Sequence, residues 1–167
     1  MSKNSSGLFN GTLGSKIAEA LKPSFQQKEL KSWARKEAIN LFKISKRQRD
    51  KFKTACVAVD EATGNLYFGR NGGIDKNKSH HNTVLFGDLH HPGVLPTKSL
   101  NKYPTPWNCA ESDAINNALN SGAKLENIHI YTIDTTKNHF GKIKRSCVNC
   151  TVAYKGNIRR NNTGWSN

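Results

Sequence analysis

A chain of 167 residues holds one ordinary domain, with room for a terminal extension but not for two full cores. Lys and Arg number 26 against 12 Asp and Glu, a formal net charge of +14 with a pI near 9.8. At 35% hydrophobic, with Trp 3, Tyr 4 and Phe 7, the composition is polar but not that of a disordered chain. No apolar run approaches the roughly 20 residues that cross a bilayer, and the opening MSKNSSGLFN lacks the apolar stretch of a signal peptide. The expectation is a soluble chain without signal peptide, transmembrane segment or membrane partner. A charge excess of this size says nothing about fold, but it makes nucleic acid the leading polyanionic partner.

Residues 1–53 read as a basic, helical N-terminal extension. After a Ser/Asn/Gly-rich tip, Ser15–Leu21 suits a short helix that stops before Pro23, because the residue before a proline is driven out of the α region. From about Phe25 to Ile44, Leu30, Trp33, Ala34, Ala38, Leu41 and Phe42 recur at three- and four-residue steps and form one apolar stripe. Lys43–Lys53 is a basic run opposed only by Asp50, either a solvated helix end or a phosphate contact.

Residues 54–167 read as the main domain. Thr54–Asp60 (TACVAVD) is a nearly continuous apolar strand, in which Cys56 is a small core residue. Glu61–Asn65 is turn chemistry and Leu66–Arg70 resumes as a strand, so the two predict a β-hairpin. Asn71-Gly72-Gly73 ends it, and a long Gly/Pro/Asn/His-rich loop runs to Pro106, broken by an apolar piece at Val84–Leu89. Its histidine pairs, His80-His81 and His90-His91, come without a carboxylate pattern and read as surface or substrate contacts before they read as a second metal site. Asn108 then caps a helix from Cys109 to about Ser121, closed by Gly122 in the left-handed region. Ile128–Ile133 is a strand with His129 packed in the core, and Ser146 caps a second helix from Cys147 to about Lys155. The short remainder leaves any later strand very short or absent. The order of elements is an α/β sandwich pattern, with helices packed on a sheet.

The cysteines carry the chemistry. Cys147 and Cys150, three apart on a helix, share a face and can grip one ion, whereas Cys109 arrives from the other helix. Helix N-termini favour thiolate over thiol. Three protein ligands leave one tetrahedral position open, as catalytic zinc sites do and structural ones do not. Glu111, two residues after Cys109, is carried off the ligand's direction toward that open position. Recruitment of Cys56 as a fourth ligand would close the site. After Asp134 the chain has no carboxylate, while Lys137, Lys142, Lys144, Arg145, Lys155, Arg159 and Arg160 make the end of the chain a basic track suited to phosphates.

Cys109-Ala110-Glu111, followed 38 residues on by Cys147-x-x-Cys150 across an intervening strand, resembles the zinc-dependent cytidine deaminase superfamily. The phrase VAVDEATGNLYFGRNGG ahead of it is similar to bacterial polymorphic-toxin deaminases, the YwqJ-like branch in particular. This resemblance, over roughly Thr54 to Tyr154, implies a cytidine deaminase-like three-layer sandwich, a mixed sheet with helices on its faces. It implies Cys109, Cys147 and Cys150 as ligands of Zn2+ and Glu111 as the proton shuttle for water attack at C4 of cytosine, or at C6 of adenine. Asn71, Trp107 and Ser146 are the candidate substrate-binding residues: an amide toward the sugar or a plain turn residue, a ring to stack on a base or to pack in the core, and a serine where the family usually has proline. The implied role is a nucleobase deaminase acting on single-stranded DNA or RNA as the toxin domain of an interbacterial effector. Such a domain acts in the cytoplasm of a target cell and is neutralised in the producer by an immunity protein. A deaminase of free nucleosides or nucleotides and a noncatalytic zinc-stabilised nucleic-acid-binding module are the alternatives.

Overall fold

The computed structural model describes residues 23–42, 52–75 and 78–167; the expected Ser15–Leu21 helix and most of the Lys43–Lys53 run lie outside them. Helix α1 (Pro23–Phe42) opens on a proline, whose fixed φ suits a first helical turn. Strands β1 (Thr54–Asp60) and β2 (Leu66–Arg70) form the expected hairpin. Within its turn Asp60 accepts from the Ala62 N–H and the Thr63 hydroxyl, and Gly64 takes a positive φ of 77°. A short helix α2 (Thr83–Phe86) interrupts the long loop, followed by α3 (Ala110–Asn120), β3 (Ile128–Asp134), α4 (Val148–Tyr154) and the two-residue β4 (Arg160–Asn161).

The sheet is mixed, in the order β2-β1-β3-β4, with β1 antiparallel to both neighbours and β4 parallel to β3. Every residue of β1 is buried, as a strand covered on both faces must be. The period-two alternation divides it. Ala55, Val57 and Val59 pack with Leu66, Tyr131 and Ile133 beneath Leu30, Ala34 and Ala38 of α1. Cys56 and Ala58 face the other way, joining Ile128 and Ile130 beneath Ala114, Ile115 and Ala118 of α3 and Ala153 and Tyr154 of α4. Helices therefore cover both faces, an α/β arrangement compatible with a three-layer sandwich. Helix α1 forms one of those layers and shares a core with the sheet, so the division at residues 53 and 54 is not a division between cores.

The crossovers aim the site. Because β2 and β3 are both antiparallel to β1, they run the same way, and α3 connects them as a parallel crossover. Helix α4 connects β3 to the parallel β4 in the same sense. Both helices thus begin near the C-terminal ends of the strands, where open α/β sheets bind ligands. Gly69 of β2 permits a close helix–sheet approach, since a Cβ there would lie 2.2 Å from the Ala114 nitrogen and 2.5 Å from the Ala110 oxygen.

Two expected caps are displaced by one residue. Cys109, not Asn108, is the N-cap of α3, and Cys147, not Ser146, is the N-cap of α4; neither sulfur caps its own helix. A polar cap contributes about 1 kcal/mol, too little to fix a boundary against tertiary contacts. Ser146 is instead buried and bonded elsewhere, while the Asn108 carbonyl accepts from the Gly72 N–H.

Candidate metal centre

Cys109 stands at the start of α3, and Cys147 and Cys150 lie at and just beyond the start of α4. Their sulfurs all lie within 4.8 Å of one another. Those of Cys109 and Cys147 are closest, at 2.8 Å, and all four cysteines of the chain are free thiols. Tetrahedral thiolate ligation, with bonds of about 2.3 Å, spaces sulfurs about 3.8 Å apart, so small side-chain adjustments bring these three onto one ion. The gathered group does not include Cys56, which is fully buried in the core and directs its thiol to the Val57 carbonyl at 3.6 Å. The donor set therefore fits a soft, thiophilic cation held by three protein ligands.

The electrostatics suit such an ion. Hydrogen bonds from the Cys109 and Cys150 thiols hold Cys147 far below the usual thiol range as a thiolate. The same sharing pushes Cys109 and Cys150 upward. The Cys150 sulfur also lies 3.9 Å from the buried Ser112 hydroxyl, which pairs with the buried Tyr154 hydroxyl at 2.8 Å. Ser112 and Tyr154 thereby orient the Cys150 sulfur, a role no local motif announced.

Glu111 is only 3% exposed, and its carboxyl is pushed up to about 7, first by burial and then by the Cys147 charge. Its own backbone N–H, then a hydrogen bond from Ser146 and the nearby Lys144 charge, act in the opposite direction. Ser146 is itself held by Asn161, whose amide donates to its hydroxyl at 3.0 Å, and by its own N–H, which donates to the Gly164 carbonyl at 2.9 Å. The serine at this position therefore steadies the acid.

Cys109, Glu111 and Cys147 open onto a cleft of about 750 Å³. Phe52 and Tyr103 contribute aromatic wall, and Lys53, Lys144 and Arg145 contribute positive charge. Asn71, Asn101 and Asn108 supply amides. Asn71 reaches the cleft as its sequence position suggested, but its carboxamide oxygen also accepts from the Thr54 N–H at 2.8 Å, which ties the hairpin ends together. Trp107 is not among the lining residues. Its ring packs edge-on to Phe86, with centroids 5.4 Å apart, and lies 5.9 Å from His81. Tyr103 and Phe52 are the rings that sequence position did not single out. Of the basic series after Asp134, Lys144 and Arg145 line the cleft, whereas Arg159 pairs with Glu61. No protein-family model, curated protein or solved structure matches this chain. Among the described residues, no helix is long and apolar enough to cross a membrane.

Proposed function

We propose that this protein is a zinc-dependent hydrolytic deaminase of a nucleobase, cytosine before adenine, acting on single-stranded nucleic acid. One observation carries the reading. A buried carboxyl group, Glu111, stands beside three clustered cysteines that gather no fourth ligand among the described residues, and both open onto a basic, partly aromatic cleft. A closed zinc module would need Cys56 in the cluster, and it is not there. A small-nucleoside enzyme has little use for the cationic rim of Lys53, Lys144 and Arg145.

Cys109, Cys147 and Cys150 would hold the ion. When bound, zinc lowers the pKa of a water toward 7 and so makes a nucleophile available at neutral pH. Glu111 accepts the water's proton and delivers it to the ring nitrogen N3. The C4–O bond forms, the C4–N4 bond breaks, and ammonia leaves carrying a proton returned through Glu111. The balance is cytosine plus water giving uracil plus ammonia. Ser146 keeps the carboxyl aimed during both transfers, and burial keeps it close enough to neutrality to give a proton as readily as it takes one. The interbacterial-toxin role, action in a recipient cytoplasm and a neutralising immunity protein rest on the sequence resemblance. An acidic partner inserted into this cleft would neutralise its basic rim and block the acid together.

The test is expression of the chain and of Glu111→Ala in cells lacking uracil repair, with sequencing of DNA and RNA. C-to-T changes in DNA, C-to-U changes in RNA or A-to-G changes, seen only with Glu111 intact, name polymer and base. Equal mutation spectra for both proteins refute polymer deamination.

A further inference from the structure

The turn at residues 99–103 is built more firmly than a surface loop requires, and it is built from the helix that carries two of the cysteines. Asn149 lies between Cys147 and Cys150 and is 1% exposed. Its carboxamide oxygen accepts from the Leu100 N–H at 2.8 Å, and its amide donates to the Ser99 hydroxyl at 3.1 Å. That hydroxyl donates to the Asn101 carboxamide oxygen at 3.0 Å, which also accepts from the Tyr103 N–H at 3.0 Å. A continuous hydrogen-bonded chain thus runs from a buried amide in the metal-binding helix to the backbone of Tyr103. At its end stands an aromatic ring that is 48% exposed and lines the cleft. The Lys102 ammonium lies 5.5 Å from the centroid of that ring.

Exposed tyrosines on loops are ordinary. One that is pinned through two intermediate residues to the helix bearing the site, at the rim of the same cleft and beside a cation, has a fixed relation to whatever reacts there. Rings and positive charges presented together are what single strands require, because bases stack on the ring while the neighbouring phosphates meet the charge. Trp107 cannot serve, since its ring is taken up by Phe86 and His81.

We infer that the Ser99–Tyr103 turn is a strand-binding platform, with Tyr103 stacking on a base adjacent to the one that reacts and Asn149 acting as the positioning residue. This rests on the nucleic-acid reading given above. It makes the preferred substrate an oligonucleotide with a neighbour beside the target base, and it makes the identity of that neighbour a determinant of rate.

The experiment uses the full zinc-loaded chain and a nine-nucleotide single strand with 2-aminopurine next to one cytosine, read by fluorescence quenching and by turnover. Tyr103→Ala is expected to abolish most of the quenching and to raise the oligonucleotide KM on the order of tenfold or more, the size of one lost base stack. The rise falls in KM and not in kcat, and Tyr103→Phe restores both readouts. Ser99→Ala, which removes the hydroxyl that links Asn149 to Asn101 without touching a cysteine, moves the oligonucleotide KM the same way at unchanged zinc content. KM values that stay within twofold for Tyr103→Ala, or that rise equally for the oligonucleotide and for free cytidine, overturn the platform while leaving deamination standing. Tyr103-dependent quenching without any turnover has the opposite meaning: the platform stands and the proposed reaction falls.

Discussion

Substituting Gly69 by alanine tests whether the α3–β2 contact sets the metal site. A Cβ at Gly69 would lie 2.2, 2.5 and 2.8 Å from the nitrogen of Ala114, the oxygen of Ala110 and the Cα of Ala114. Ordinary contact begins near 3.4 Å, so the helix must withdraw by about 1.2 Å. All three atoms are backbone, and no side-chain rotation relieves them. Overpacking of this kind costs typically about 1–3 kcal/mol, and the upper end applies because Ala114, Ile115 and Ala118 would be lifted from the core with the helix. At about 2–4 °C per kcal/mol for a chain of this size, Tm should fall by about 6–12 °C. The shift also moves Cys109 and Glu111 relative to Cys147 and Cys150, so zinc affinity measured by chelator competition should weaken in parallel. Gly122→Ala is the control. Gly122 has φ +100° with nothing within 4 Å of an added Cβ, so it meets backbone strain alone, about 1–2 kcal/mol, and zinc affinity should hold. A Gly69→Ala protein with parental Tm and parental zinc affinity would refute the argument that this contact seats the helix.

Chelation of the metal should lower Tm, because a ligand at about 1,000 times its Kd stabilises the native state by about 4 kcal/mol; elemental analysis should find stoichiometric zinc retained by Cys56→Ala and lost by Cys109→Ala. Burial holds the His129 imidazole below its ordinary value against the opposing pull of Glu61 and a hydrogen bond to Asn162. Its contribution to stability is therefore complete above the unfolded value near 6.5 and is lost as pH falls through the folded one, so denaturant midpoints should drop on acidification below about pH 6.5 and His129→Gln should flatten that slope. Asn82 caps α2 by accepting from the Val84 N–H and donates to Asn120 of α3, so Asn82→Ala should cost about 1–2 kcal/mol and accelerate proteolysis within residues 78–95. Arg145→Ala should weaken oligonucleotide binding equally for all sequences and reduce the salt slope by about 1.

How far these features were legible depended on the range of the interaction that fixes each one. The hairpin and β3 could be read because burial on both faces of a central strand forces a continuous apolar run, and TACVAVD and IHIYTID carry it. The cysteine cluster was legible because a three-residue spacing and an intervening strand are local facts. The long loop was not. Its order comes from amides that act far along the chain: Asn116 and Asn120 of α3 donate to the His80 carbonyl, and Asn149 holds Leu100 from 49 residues away. No periodicity marks such contacts, because an asparagine that pins a loop looks like one that faces water. Trp107 stayed open between core packing and base stacking for a related reason: standing just before a helix fixes where its backbone lies, but not whether its ring turns to the cleft or to Phe86.

The topology explains why so little sequence suffices to define the centre. Two successive crossovers of the same sense bring the starts of α3 and α4 to one end of the sheet, and that convergence needs no residue of its own beyond the strand order. A cysteine at each helix start then meets the other across the gap, and a third, one turn further along α4, completes the grip. In the proposed reaction the acid has to sit within reach of the ion without becoming one of its ligands. Two residues beyond Cys109 carries it there, into the first turn of α3 and against Ser146. Moving Glu111 by one residue in either direction would turn it by about 100° around the helix, away from Ser146. Glu111→Gln, which keeps the side chain's size and place but cannot shuttle a proton, should therefore abolish turnover while leaving the three sulfurs able to take a metal.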